Sequence, residues 1–144
     1  MGNVHRSKDN PQEALDSYAA GMVDGEGCIR LCKGWSKRDQ KYRYVIRITV
    51  TQKDYRIPLW LIKNYGGNFY KHMMKPAMLK VYRWTLSGQT AKPFIERILP
   101  YLILKKDQAE LALDVLSKAP KSGRKMSQAY RDYCEKVFVI MKEL

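Results

Sequence analysis

The chain has 144 residues and a mass of 16.8 kDa, enough for one domain with a sizeable core. No apolar stretch is long enough to span a bilayer, the first residues form no apolar signal, and Cys28, Cys32 and Cys134 lack disulfide-scaffold spacing, so an intracellular, reducing setting is expected. The net charge is +13, and residues 30–83 carry 14 Lys or Arg against only Asp39 and Asp54; a polyanion is the expected partner, and nucleic acid suits the strand-like basic pattern better than a membrane does.

Residues 1–10 read as a flexible basic start in which Gly2 gives no supported lipidation signal and His5 has no evident role. Asn10 is placed to cap a helix with Pro11 at its first position, and Glu13 completes a capping-box pattern. The helix is expected to reach about Val23 on a core stripe of Leu15, Ala19 and Met22, and to break at Gly25. Its other side is nearly bare. Ser17, Gly21 and Gly25 recur every fourth residue, with Ala20 and Asp24 on an adjoining stripe, so a second backbone could approach closely. Asp24 and Glu26, one glycine apart, then suggest a metal site at a helix-helix junction; the alternative is a helix cap and turn with ordinary turn acids.

Strands are predicted at 28–33 and 42–53 around a polar connection at 36–40. Alternation puts Ile29, Leu31, Tyr44, Ile46, Ile48 and Val50 on a core face, and Arg30, Cys32, Arg43, Arg47, Thr49 and Thr51 on an open face suited to hydrogen bonding. Lys33 is expected to add to that surface, with Lys37, Arg38 and Lys41 of the connection meeting phosphates. A short helix over 56–65 is stopped at Gly66 and Gly67.

Strands at 68–75 and 79–87 follow, joined through Pro76 and Ala77. Tyr82, Trp84 and Leu86 share one face, and Arg83 and Thr85 the other. Lys71 and Lys75 are assigned to the open face along with Met73, which does not suit a polar surface. Thr90 can cap a further helix that continues irregularly past Pro100. A clear helix spans 106–119, the basic linker containing Lys121, Arg124 and Lys125 is expected on phosphates, and Ser127 starts a final amphipathic helix. The pattern predicts an α+β protein, with a four-stranded antiparallel sheet carrying helices on one side and a basic face on the other.

The segment Ala19, Ala20, Gly21, Met22, Val23, Asp24, Gly25, Glu26, Gly27, followed by two strand pairs, resembles the LAGLIDADG homing endonucleases, specifically their single-motif, homodimeric, intron-encoded branch. Outside the motif, Val50, Thr51, Gln52 and Lys53 with Arg56, and the run from Leu102 to Ala109, are similar to family segments as well. Ala19 where leucine is usual, and glutamate at 26 where aspartate is usual, are departures.

The resemblance implies the αββαββα fold over a core domain of residues 11–119, with the linker and helix of 120–144 beyond it. It further implies metal binding by Glu26 and the Gly25 carbonyl, and a catalytic centre of Glu26, Gln52, Arg56 and Lys105. A homodimer contact through Ser17, Ala20, Gly21 and Asp24 is also implied. The expected activity is Mg²⁺-dependent cutting of both strands of a long pseudo-palindromic DNA duplex, leaving four-base 3′ overhangs. Mn²⁺ is expected to substitute, and Ca²⁺ to bind without supporting cleavage. No membrane and no small-molecule cofactor is implied; an organelle is the expected location if the intron is organellar, and the cytoplasm otherwise.

Three other readings compete. The same scaffold could bind DNA without cutting it, or act as an RNA-binding intron maturase. A basic platform for single strands is disfavoured because alternation sends Tyr44, Tyr82 and Trp84 to the core side. Zinc is disfavoured because Cys28 and Cys32 have no second Cys or His pair, and His72 reads as a sheet-surface residue.

Overall fold

The computed structural model describes residues 10–75, 79–121 and 125–144. The elements are α1 (Pro11–Glu26), β1 (Gly27–Ser36), β2 (Lys41–Gln52), α2 (Arg56–Tyr65), β3 (Asn68–Met74), β4 (Leu79–Ser87), α3 (Ala91–Ile98), α4 (Lys106–Lys118) and α5 (Gln128–Glu143), with single 3₁₀ turns at Gly88–Thr90 and Leu99–Tyr101. All strand pairs are antiparallel, in the order β1-β2-β4-β3. Helices cover one side of this sheet, as an α+β protein requires. Expectations for residues 1–9, the Pro76–Ala77 connection and Arg124 fall outside the described residues.

The start of α1 is as its sequence predicts: the Asn10 side chain accepts a hydrogen bond from the Glu13 N–H at 3.2 Å. Its end is not. The helix runs through Asp24, Gly25 and Glu26 and stops at Gly27, whose N–H bonds the Val23 carbonyl. The break belongs to Gly27 because a Cβ there would lie 2.8 Å from the Val23 Cα and 2.9 Å from its carbonyl oxygen. Glu26 is therefore the last helical residue, and the chain passes directly into β1.

Register fixes which side chains are buried. Gly27 stands opposite Val50, Ile29 opposite Ile48, and Leu31 opposite Ile46, while Ile48 faces Leu86 and Val50 faces Trp84 across β4. These side chains form one core with Ala19, Ala20 and Val23 of α1, Leu61 of α2, Phe94, Ile95 and Ile98 of α3, Ala109, Ala112 and Val115 of α4, and Tyr130, Cys134 and Val137 of α5. Alanines on α1 and α4 let those helices lie close to the sheet. Gly67 is required for a different reason: its φ is +97°, and a Cβ would lie 2.5 Å from the Thr85 carbonyl.

Two polar contacts lock the helices in place, and neither is evident in the sequence. Asp16, only 6 % exposed on α1, accepts hydrogen bonds from Gln12 and from the Tyr65 hydroxyl, both at 2.8 Å, and from Arg97 at 3.4 Å. It thereby joins α1, α2 and α3. Burial, with the Asp16 carboxylate as acceptor, pushes the Tyr65 hydroxyl pKa well above its usual value. Asp16→Ala should lower unfolding stability by about 1–3 kcal/mol, the cost of stranding buried polar partners, as read from the midpoint of a urea titration.

On the other side of the molecule, Glu135 of α5 binds Lys33 at 2.8 Å and accepts from the Tyr44 hydroxyl at 2.6 Å. Burial, and then Glu135, push the Tyr44 pKa up to about 12. One capping expectation fails here. Thr90 does not cap α3; its hydroxyl donates to the Ser87 carbonyl at 2.6 Å.

Candidate active site and nucleic-acid interface

The last turn of α1 is tied to the segment before α4 from both directions. The Asp24 carboxylate accepts from the N–H groups of Ile103 at 2.8 Å, Leu104 at 3.2 Å and Lys105 at 3.0 Å. Lys105 in return donates its Nζ to the Asp24 carbonyl at 2.7 Å. Three amides on a carboxylate and an ammonium at a helix C-terminus are both charge-assisted arrangements. Asp24 is thus tied to the segment before α4, where it fixes Lys105 beside Gly25 and Glu26.

Glu26 and Gly25 are exposed at this helix end. Gln52 approaches from the sheet: β2 runs two residues past Val50, the partner of Gly27, so Gln52 lies alongside the passage from α1 into β1. Arg56 opens α2, where its guanidinium bonds Asp54 at 2.7 Å and 2.9 Å. The Arg56 side chain and N–H hold the Asp54 carboxyl down to about 2. Because that pKa is depressed, the tether is present above the usual carboxylate range and is lost only as pH falls toward 2.

Glu26 and the Gly25 carbonyl suit a hard divalent cation, which takes one or two carboxylates and completes its shell with water and phosphate oxygens. Among the described residues no group of three or more His, Cys, Asp or Glu could hold a metal unaided. Oxygens from outside this set would have to complete the shell.

The bare stripe of α1 is partly what its spacing predicts. Ser17 and Gly21 are exposed, and nothing lies within 4 Å of a Cβ placed on Gly21 or Gly25. Ala20, expected on that surface, is fully buried in the chain's own core. Beside the stripe, the Asp24-bound segment presents Ile103 and Leu104, 84 % and 72 % exposed. Sequence reading passed over both.

On the open side of the sheet, Arg30 faces Arg47, Thr49 faces Thr85, and Thr51 faces Arg83. Arg47 donates to the Ser87 hydroxyl at 3.3 Å and Arg83 to the Thr51 hydroxyl at 3.1 Å, which aims both guanidiniums across the strands. Cys32, Lys41 and Arg43 share the face by alternation. Arg43 donates to Asp39 at 2.9 Å, and Arg38 lies 3.7 Å from the same carboxylate. Lys37 and Arg38 occupy the turn, and Lys75, Lys121 and Lys125 are exposed beyond the strands.

Four assignments to this face are corrected by burial or register. Lys33 has core-side parity opposite Tyr44 and is held by Glu135. Lys71 faces Tyr82 and Met73 faces Lys80, in line with Phe69 opposite the buried Trp84, so both lie on the helix side. Thr85 has the right parity but is 6 % exposed. The open side of β3 instead carries Asn68, Tyr70, His72 and Met74, with Tyr70 opposite Arg83. Phe69 was the available signal, because an aromatic beside two core-directed aromatics fixes the alternation of the whole strand.

No family model matches the chain. Over 111 residues it is 32 % identical to the DNA endonuclease I-CvuI of Chlorella vulgaris; the match takes in 74 % of this chain and spans 66 % of that relative's length. A crystal structure of the homing endonuclease I-CvuI in complex with its target, with Ca present, superposes with a TM-score of 0.69 at 22 % identity, covering 91 % of this chain and 96 % of that one. The meganuclease I-SmaMI, bound to uncleaveable DNA, gives a TM-score of 0.71 at 15 % identity over 88 % of this chain but only 44 % of its own. At such identities the two structural matches speak for the fold.

Proposed function

The chain belongs to the LAGLIDADG homing endonuclease family, and from that premise we propose that it is a metal-dependent endonuclease that works as a homodimer on double-stranded DNA. Each protomer reads one half of a long pseudo-palindromic target, and the pair cuts both strands to leave four-base 3′ overhangs. The observation that carries this reading is the end of α1, where Glu26 stands exposed beside the pinned Lys105 and between the bare helix stripe and the basic sheet.

Two copies are needed because each chain has one such carboxylate, and because Gly21, Gly25, Ile103 and Leu104 leave a bare, partly apolar surface that a second α1 would cover. The coverage of I-SmaMI fits this view, since a chain of which less than half is matched has room for two such units. Ser17 and Gly21 would meet the partner helix directly. The I-CvuI structures were obtained on DNA with Ca present or with Mg present, the latter with the DNA not cleaved, and a divalent cation at this site is consistent with both.

Glu26 and the Gly25 carbonyl would hold Mg²⁺ against the phosphate, with Mn²⁺ able to replace it and Ca²⁺ able to bind without turnover. Such a cation supplies positive charge for the developing phosphorane and lowers the pKa of water. Lys105 places a further positive charge at the same helix end, Gln52 orients water by its amide, and Arg56, released from Asp54 by a phosphate, neutralises the backbone. Lys105→Met should slow cleavage by roughly 10²–10³-fold, the size of one electrostatic donor; unchanged single-turnover rates would remove Lys105 from the site.

Arg30, Arg47 and Arg83 face the major groove, where a guanidinium can pair with guanine through two hydrogen bonds. Lys37, Arg38, Lys41, Arg43, Lys121 and Lys125 border the duplex and meet phosphates, which position the protein without reading sequence. The reading is tested by selecting cut sites from a randomised duplex library with Mg²⁺ or EDTA. Metal-dependent ends with four-base 3′ overhangs support it, whereas selection of bound but uncut DNA, or of RNA, would replace it with a binding protein on the same scaffold.

A further inference from the structure

The open face of the sheet is not basic along its whole length. Beyond Gln52, which stands opposite Tyr82, β4 continues back to Leu79, roughly 10 Å further along the strand. On that extension His72 faces Val81, and Met74 faces Leu79. Cross-strand partners share a face, and the pairs Tyr70 with Arg83 and Asn68 with Thr85 put this one in line with Thr49 and Thr51.

Met74 and Leu79 are each 46 % exposed there, and Val81 beside them is buried. Arg83, paired with Tyr70 and two residues along β4 from Val81, borders the patch on the same face. That charge favours a polyanion over an apolar protein surface, so the bare side chains lie where a nucleic-acid ligand has to supply the apolar contact. In the major groove one base does so: the C5 methyl of thymine.

We propose that Met74 and Leu79, seated on Val81, read thymine methyl groups in the part of each half-site next to the catalytic centre. The placement follows from Gln52, since the patch lies past the catalytic end of the sheet while Arg30 and Arg47 lie behind it. The inference rests on the reading of the chain as a DNA endonuclease. It divides the face chemically: arginines favour guanine further out, and an apolar pair favours thymine nearer the cut.

The test uses a selected, cleavable duplex in which each thymine is replaced singly by deoxyuridine, which removes the methyl and leaves base pairing intact. At one or two positions per half-site next to the cut, affinity measured in EDTA should fall by about 3- to 10-fold, the scale of one lost apolar contact. The double variant Met74→Ala, Leu79→Ala should bind thymine and uracil duplexes equally at those positions. Sensitivity confined to outer positions, absent throughout, or unchanged in the double variant would overturn the thymine assignment while leaving a nuclease that still cuts its target. Failure to bind or cut any selected duplex would instead overturn the underlying reading.

Discussion

Glu26→Gln is expected to abolish Mg²⁺-dependent cleavage, by at least about 10³-fold, while duplex binding survives. Glutamine keeps most of the volume and one carbonyl oxygen but removes the charge that holds a hard cation next to a phosphate. Glu26 is exposed at the end of its helix, so the substitution takes nothing from the core. Binding should be unchanged or slightly tighter, because a carboxylate no longer repels the DNA backbone. Gel shifts in Ca²⁺ and single-turnover cleavage in Mg²⁺ separate the two effects; full activity in the variant would remove Glu26 from the chemistry.

Gly21→Leu should produce the converse result, a folded chain that no longer pairs. Nothing lies within 4 Å of a Cβ at Gly21 in the isolated chain, and leucine gains up to about 1 kcal/mol of helix propensity over glycine. Unfolding stability measured on the single chain should therefore hold or rise. A partner helix using the bare stripe would meet the new isobutyl group directly, so sedimentation should show loss of the two-chain complex on DNA, and double-strand cutting should disappear with it. A variant that still pairs and cuts would mean that α1 lies elsewhere in the assembly.

The parts of this structure legible in the sequence are those in which local chemistry and tertiary packing agree. Alternation in β1 and β2 puts Ile29, Leu31, Ile46, Ile48 and Val50 in the core, where all five are buried, and Ser127 caps α5 through the Tyr130 N–H at 3.1 Å. What escaped depended on distant partners. Helix propensity disfavours Gly25, yet Asp24 is held by Ile103, Leu104 and Lys105, and that long-range lock accompanies an α1 that continues to Glu26.

Lys33 illustrates the same limit, since its partner Glu135 is 102 residues away. The error at β3 was one of phase. A one-residue shift exchanges the two faces of a strand, so assigning Lys71 and Met73 outward hid Tyr70 and Met74. At the candidate site, residue types could be read from the motif, but the attachment of Lys105 to the Asp24 carbonyl could not, because it depends on the path of the chain between α3 and α4.

The central claim, that two copies of this chain use Glu26 to cut both strands of one duplex, is tested most directly by mixing wild-type and Glu26→Gln protomers on a selected palindromic target in Mg²⁺. If each protomer contributes one carboxylate to a shared centre, mixed pairs should lose coupled double-strand cutting and release at most nicked DNA, with intact double-strand breaks falling as the square of the wild-type fraction. Double-strand cleavage that falls only in proportion to the wild-type fraction, or that persists with Glu26→Gln alone, would contradict it.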